Sequence, residues 1–353
     1  MSQFFPLTIA AVYPETRDAT VLEFDVPDTL ASRFSHRQGQ HLTLRATIGG
    51  QDVRRAYSLC NAVGAPLRVA IKKVEGGVFS GWAQANLRAG QQIEVMPPSG
   101  NFYVPLAAGR ARHYAGFASG SGITPMLSIL KTTLQEEPAS RFTLVYGNRN
   151  VGSTMFREEL ADLKDRHASR LSLIYVFSGE AQEVELCNGR LTHERVRGLL
   201  RSWLPAASID HAFVCGPTGM MDDVCRALED SGVAKPRIKR EYFQPAGAPA
   251  AVAHRPAGSP DVGKRMTLIV DGATRQVEWT GAAATILDEA LAAGIDLRYS
   301  CKGGVCATCR CRVIEGAVEM DAQYALDDDE LAQGYVLGCR ARPSTPNLVL
   351  EFD

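Results

Sequence analysis

Four cysteines near the end of this 353-residue chain have types and spacing suited to one chemistry. Cys301, Cys306 and Cys309 form a Cys-x4-Cys-x2-Cys run, and Cys339 follows after twenty-nine further residues. Four thiolates so placed are a ligand set for a [2Fe–2S] cluster, three from one tight loop and the fourth from a distant segment. The run reads Cys301-Lys302-Gly303-Gly304-Val305-Cys306-Ala307-Thr308-Cys309. Its glycines let the backbone wrap closely and aim N–H groups at sulfur, which helps set the redox potential. A structural zinc site more often shows two Cys-x2-Cys knuckles, and only one is present here. A disulfide framework suits short secreted chains, whereas this chain opens MSQFFPLTIAAVYPE, without the basic and apolar regions of a signal peptide. Cys311 lies two residues past a ligand and reads as a strand residue pointing away. Cys60, Cys187 and Cys225 have no partner spacing, and the latter two read as small buried hydrophobes.

A cluster of this kind moves one electron at a time, so the rest of the chain must supply the electrons. Its length suggests two or three domains, and its 45% hydrophobic and 22% charged residues are ordinary for a globular protein. No apolar run approaches the length of a membrane span, which points to a cytoplasmic protein with no membrane partner. No basic, aromatic-interleaved patch points to nucleic acid. Charge is unevenly placed: residues 266–353 hold 14 acidic and 7 basic residues (−7), and the other 265 hold 25 and 31 (+6). Opposite fields favour mutual docking or steering of a charged partner, although ordinary surface solvation can produce the same asymmetry.

These chemical groups need elements to position them. Residues 244–265, QPAGAPAAVAHRPAGSPDVGKR, have a linker composition and set apart a C-terminal module, 266–353. Upstream, 1–108 read as short strands, among them 7–13, 20–26, 41–46 and 67–74, with one short helix at 79–87. Such close spacing predicts a small antiparallel β-barrel. From residue 113 the rhythm changes. Strands at 113–119, 142–147, 171–178, 211–215 and 237–243 alternate with helices at 125–135, 156–167, 192–203 and 220–231. This predicts, over 109–243, a parallel sheet with helices on both faces and a ligand crevice at the strands' carboxyl ends.

Two loops lie at those ends. Gly120-Ser121-Gly122-Ile123-Thr124-Pro125 is a Gly-x-Gly-x-x-Pro turn from strand to helix, which lets backbone N–H groups meet a pyrophosphate. Cys215-Gly216-Pro217-Thr218-Gly219-Met220 follows a second strand. Either could be only a turn; together they argue for a bound dinucleotide. In the barrel, Arg55-Ala56-Tyr57-Ser58 could offer a phosphate-binding cation, a flat ring and a hydroxyl on one strand end, although by composition alone an ordinary strand end is the commoner case. Gly76-Gly77-Val78-Phe79-Ser80 opens the short helix, a natural anion site or a common turn.

Arg-x-Tyr-Ser, Gly-x-x-Ser, Gly-x-Gly-x-x-Pro and Cys-Gly-Pro, in that order, resemble the ferredoxin–NADP reductase superfamily, here with a C-terminal plant-type ferredoxin module. The stretches 54–60, 69–80, 118–127, 146–149 and 301–311 are most similar to the reductase subunits of phenylacetyl-coenzyme A epoxidases. The resemblance covers essentially the whole chain and implies three folds: an FAD-binding antiparallel β-barrel, an NAD(P)-binding α/β domain and a β-grasp-like α+β [2Fe–2S] domain. It also implies residue roles. Arg55 would bind the flavin's phosphates, Tyr57 would stack on the isoalloxazine, and Ser58 would approach its N5. Gly77 and Ser80 would hold the pyrophosphate. Gly120, Gly122 and Thr124 would line the nucleotide path, and Cys215, with Gly216 and Pro217, would sit by the nicotinamide. Glu241-Tyr242-Phe243 is similar to the family's terminal Glu-x-aromatic, with Phe243 covering the flavin.

Arg149, after Tyr146-Gly147-Asn148, could clamp the 2′-phosphate of NADPH, and NADH-using relatives tend to lack a cation there. A solvated surface arginine is the plainer reading. The expected route runs from NADPH through FAD and the cluster to the di-iron oxygenase component of an acyl-coenzyme A epoxidase. A flavin must stand between, because a hydride carries two electrons and the cluster takes one. The alternatives are an NADH-dependent FMN or FAD reductase of another oxygenase system, and a redox-sensing iron–sulfur protein.

Overall fold

The computed structural model describes residues 4–243, 263–321 and 323–352, which fall into two compact units divided at Phe243. The first unit opens with strands β1 (Phe5–Thr16), β2 (Ala19–Asp25), β3 (His41–Ile48), β4 (Gln51–Ser58) and β5 (Leu67–Lys72). Helix α1 (Val78–Asn86) and strand β6 (Gln92–Ser99) follow. All neighbours are antiparallel in the order β4-β3-β6-β1-β2-β5. Leu59, just past β4, bridges Val69 of β5 and closes the sheet on itself. Closure hides both sheet edges, and alternate residues such as Leu7, Ile9, Leu42, Leu44 and Val95 fill the interior. β6 forms despite Pro97 and Pro98, because both fall where its register with β3 shifts, between Met96 and Ser99.

The α/β half comprises β7 (His113–Ser119), α2 (Ile123–Glu136), β8 (Arg141–Asn148), α3 (Arg157–Arg166), β9 (Leu171–Phe177), α4 (His193–Ser202), β10 (His211–Gly216), α5 (Thr218–Asp230) and β11 (Ile238–Tyr242). The sheet is wholly parallel, ordered β11-β10-β7-β8-β9. α2 and α3 cover one face through Ile123, Leu127, Leu160 and Leu163, while α4 and α5 cover the other through Val196, Leu199, Val224 and Leu228. Strands buried on both faces read as continuous apolar runs, as Tyr114 to Ala118 do. Val21, Cys60 and Ala70 of the barrel share a buried cluster with Ile123 and Leu127, so the two halves have a common core.

The second unit holds β12 (Lys264–Val270), β13 (Ala273–Trp279), α6 (Ile286–Ala292), β14 (Arg310–Glu315), β15 (Val318–Met320), α7 (Asp328–Ala332), β16 (Tyr335–Leu337), β17 (Ala341–Pro343) and β18 (Asn347–Phe352). Five strands run β13-β12-β18-β14-β16 with β12 and β18 parallel at the centre, and α6 packs Ile286, Leu287 and Ala290 into their core. This is the β-grasp layout expected for the module. The expected linker end needs correction, because Lys264 and Arg265 already belong to β12 and the Arg265 N–H bonds to the Pro346 carbonyl. Ladder pairing overrides the polar composition there. Residues 244–262 of the expected linker lie outside the described residues.

Candidate active site and cluster site

The strand order reverses between β7 and β10, and both glycine loops leave the sheet at that point. The loop after β7 winds tightly, with Gly120 at φ 55°, and the Thr124 hydroxyl donates to the Ser121 carbonyl at 3.0 Å. Gly122 packs directly on the other loop: a Cβ there would stand 2.1 Å from the Cys215 carbonyl oxygen. No larger residue fits without separating the two loops. Tyr146, buried in β8, donates its hydroxyl to the Gly120 carbonyl at 2.9 Å and so holds the first glycine in place. No spacing or composition signal marks Tyr146 for this role. Gly216, the last residue of β10, is buried and Pro217 exposed, and α5 starts without a side-chain cap.

Three side chains from separate elements converge beside these loops. β10 and β11 pair in parallel with Cys215 opposite Glu241. Across the cleft, Ser58 at the end of β4 donates its hydroxyl to Glu241 Oε2 at 3.0 Å. Burial pushes the Glu241 carboxyl up to about 8, against the opposing effect of the Ser58 hydrogen bond. Cys215 is fully buried, and burial together with the Glu241 charge pushes its thiol well up, so it stays protonated. Phe243 lies just past β11 and packs on the core shared by the two halves.

Arg55 and Tyr57 lie two apart on β4 and so face the same way. Arg55 is exposed and donates to the Arg54 carbonyl at 2.7 Å. The Tyr57 ring lies 5.7 Å from Phe79 of α1, tilted by 41°, and burial raises its hydroxyl pKa. Ser80 lies buried in the first turn of α1. Its buried hydroxyl accepts from the Val74 N–H at 3.1 Å and faces the Gly77 carbonyl at 3.5 Å, so it shapes the turn itself. Gly77 is required there, because a Cβ would stand 2.7 Å from that hydroxyl. Arg149 lies just past the end of β8. It is exposed at the carboxyl end of β8 and lies along Gly179, whose N–H donates to the Arg149 carbonyl at 2.7 Å.

In the second unit, Lys302, Gly304 and Ala307 take left-handed conformations with φ of 51°, 78° and 52°, coiling the loop around its own thiols. The Gly303 N–H reaches Cys301 Sγ at 3.3 Å, and the Val305 and Cys306 N–H groups approach the same sulfur. The Thr308 side chain hydrogen-bonds to Cys306. Cys339, just past β16, is brought in by the Gly338 N–H bond to the Cys309 carbonyl at 3.0 Å. Among the described residues, no three His, Cys, Asp or Glu side chains close to metal-bonding geometry. The thiols meet as two hydrogen-bonded pairs, Cys301 with Cys306 and Cys309 with Cys339, and Cys309 also faces Cys306 and Cys301. Two facing thiol pairs, with N–H donors gathered at Cys301, match a [2Fe–2S] cluster in ligand type and number. Cys311 is fully buried in β14 opposite Val336 and Phe352, a core residue.

Known families match each part. An oxidoreductase FAD-binding domain matches residues 6–103, an oxidoreductase NAD-binding domain 117–226, and a 2Fe-2S iron-sulfur cluster binding domain 268–344. Over all of its length the chain is 45% identical to a 1,2-phenylacetyl-CoA epoxidase subunit of Escherichia coli (strain K12), and it covers 99% of that protein. The chain belongs to the FAD- and [2Fe–2S]-containing reductases of the ferredoxin–NADP reductase superfamily. The reductase is also 36% identical to the 3-ketosteroid-9-alpha-monooxygenase ferredoxin reductase component of Rhodococcus rhodochrous, over 98% of this chain and 96% of that one. Its fold is shared with phthalate dioxygenase reductase, at TM-score 0.59 and 23% identity over 99% of this chain and 98% of that one. The reductase is thus an electron-transferring oxidoreductase that uses a pyridine nucleotide, FAD and a [2Fe–2S] cluster. No helix among the described residues is long and apolar enough to cross a membrane.

Proposed function

We propose that the reductase carries electrons from NADPH to the di-iron oxygenase component that epoxidises the ring of phenylacetyl-coenzyme A. The observation that carries this reading is the 45% identity to an epoxidase subunit over all of this chain and 99% of that protein. Cys301, Cys306, Cys309 and Cys339 would hold the [2Fe–2S] cluster, and FAD, when bound, would supply the conversion between two-electron hydride chemistry and single-electron transfer. Arg55 binds the flavin's phosphates, Tyr57 faces its ring, and Gly77 and Ser80 shape the turn beside the pyrophosphate. Gly120, Gly122, Thr124, Gly216 and Pro217 line the nucleotide path. Ser58, Cys215 and Glu241 border the place where nicotinamide and flavin meet, and Phe243 covers the flavin until the nicotinamide arrives. A cytoplasmic setting suits a nicotinamide donor and nine cysteines that are all free of disulfides.

The choice of NADPH rests on Arg149, an exposed guanidinium at the carboxyl edge of the sheet. Arg149→Ala is expected to lower kcat/KM for NADPH about ten- to a hundredfold, the scale of one charge-assisted contact, and to leave NADH nearly unaffected. Steady-state kinetics with both nucleotides check this, and equal losses refute the 2′-phosphate role.

Reconstitution tests the pathway. Mixed with the purified oxygenase component, the reductase is expected to support phenylacetyl-coenzyme A loss in step with nucleotide oxidation. Nucleotide oxidation without substrate loss, together with coupled turnover by a steroid monooxygenase, would assign it to that second system.

A further inference from the structure

The barrel and the nucleotide-binding sheet are joined by an ionic seam whose charged residues, Arg68, Lys131 and Glu159, carry none of the roles above. Glu159 of α3 stands at its centre. Arg68 of β5 donates from Nη2 to both Glu159 oxygens, at 3.1 and 2.8 Å. Lys131 of α2 contacts Glu159 Oε1 from the other side. Side-chain exposure is only 20% for Arg68, 11% for Lys131 and 28% for Glu159, so one carboxylate separates two largely buried cations. Burial lowers the Lys131 pKa, while the Glu159 charge works in the opposite direction.

Further contacts tie the seam to both cofactor sides. Lys131 Nζ also donates to the Cys60 carbonyl at 3.0 Å, two residues past Ser58. One residue on, the Thr132 hydroxyl accepts from the Val63 N–H at 3.1 Å. Phe156, at the start of α3, holds φ 55°, and its N–H donates to Glu15 Oε1 of β1 at 2.5 Å. A left-handed aromatic residue is uncommon and needs such a fixed partner. α2 is a rigid rod whose first turn continues the 120–124 loop and whose last turns are bound to the segment after Ser58. The seam therefore sets how the nucleotide loop faces the flavin side.

We propose that Glu159 is a positioning residue for hydride transfer, acting through Lys131 and Arg68 to hold the nucleotide loop in register with Ser58; this rests on reading the Ser58, Cys215 and Glu241 cleft as the transfer site. Apolar residues of similar volume would join the two halves at least as firmly, so the ionic set contributes direction rather than adhesion. Small displacements between reacting groups are costly in rate: about 1 Å can cost about a hundredfold.

The test is Glu159→Gln in the full chain loaded with both cofactors. At saturating nucleotide, the stopped-flow rate of flavin reduction is expected to fall about ten- to a hundredfold. The nucleotide dissociation constant should change by less than about twofold, because both glycine loops lie on one side of the seam. The charge-transfer absorbance between nicotinamide and flavin should weaken in parallel. An unchanged limiting rate and band with a lower melting temperature would make Glu159 merely structural and overturn the proposal. Lys131→Met keeps the Arg68–Glu159 pair and removes only the α2 arm; it should show the same split more weakly, and it decides the question if the glutamine variant does not fold. Ser58→Ala, run alongside, isolates the cleft. If it leaves the limiting rate unchanged, the reading of the cleft fails and the proposal falls with it; if it lowers the rate while Glu159→Gln does not, only the positioning role is overturned.

Discussion

Replacing Cys339 by serine is expected to abolish reduction of cytochrome c by NAD(P)H while leaving reduction of ferricyanide, which draws on the flavin, close to normal. Cys339 is the proposed ligand that comes from outside the loop. It joins the other three through the Gly338 N–H bond to the Cys309 carbonyl, and the Gly338 carbonyl in turn accepts from the Leu287 N–H of α6. Changes to outer-shell partners of a metal centre alone cost about 10- to 100-fold, so loss of a ligand should exceed that. The first unit is compact by itself and carries the whole flavin and nucleotide constellation, so its half of the reaction should survive. The visible spectrum checks the loss of the cluster, and paired assays with the two acceptors check the split. Cytochrome c reduction within a few-fold of wild type would refute the ligand assignment.

Glu241→Gln is expected to lower turnover by about 10²-fold, the scale of a positioned acid–base group, and to flatten its pH profile. In the wild-type chain burial holds the carboxyl at about 8, so at neutral pH most of it is protonated. The hydrogen that enters with the electron pair has to leave as a proton when the electrons depart singly. If the hydrogen-bonded Ser58 and Glu241 serve as its outlet, that outlet opens as the carboxyl ionises. Cytochrome c reduction should therefore rise with pH through about 8 and level off above it, and the glutamine variant should lack that rise. Stability should move the other way. The folded chain keeps a proton that the unfolded chain releases above about 4.5, so stability falls as pH rises from there to about 8. The glutamine variant should escape that loss, so its melting temperature should gain on wild type between pH 5 and pH 9. Parallel melting curves across that range would show that Glu241 does not carry the shifted proton.

Much of this molecule was legible along the chain. The change from period-two strands to alternating strands and helices near residue 113 marked where the barrel gives way to the parallel sheet, because burial on one face or two writes itself into local sequence. The β-grasp module was less readable by pattern. Its strands are short, and its central parallel pair joins β12 to β18, close to eighty residues apart. Lys264 and Arg265 illustrate the limit: two cations after a Pro- and Ala-rich run have linker composition, yet they pair in a sheet. Ser80 is another case, since nothing in a hydroxyl beside two glycines announces that it accepts from the Val74 N–H.

By itself the sequence determined the cofactors and the order of the modules that hold them. Cysteine spacing, glycine loops and the Arg-x-Tyr-Ser strand end are local features, and their chemistry requires only a few neighbouring residues. Only the tertiary structure decided which side chains meet. Ser58 and Glu241 lie 183 positions apart and touch because a barrel strand ends opposite the last strand of the sheet. Cys215 stands beside Glu241 through the register of β10 on β11, and Gly122 touches Cys215 because the strand order reverses there. Glu159 carries no motif, and its place between two cations follows from how α2 and α3 lie against the barrel. Such contacts depend on register, sheet order and packing, which the whole chain sets together and no local stretch records.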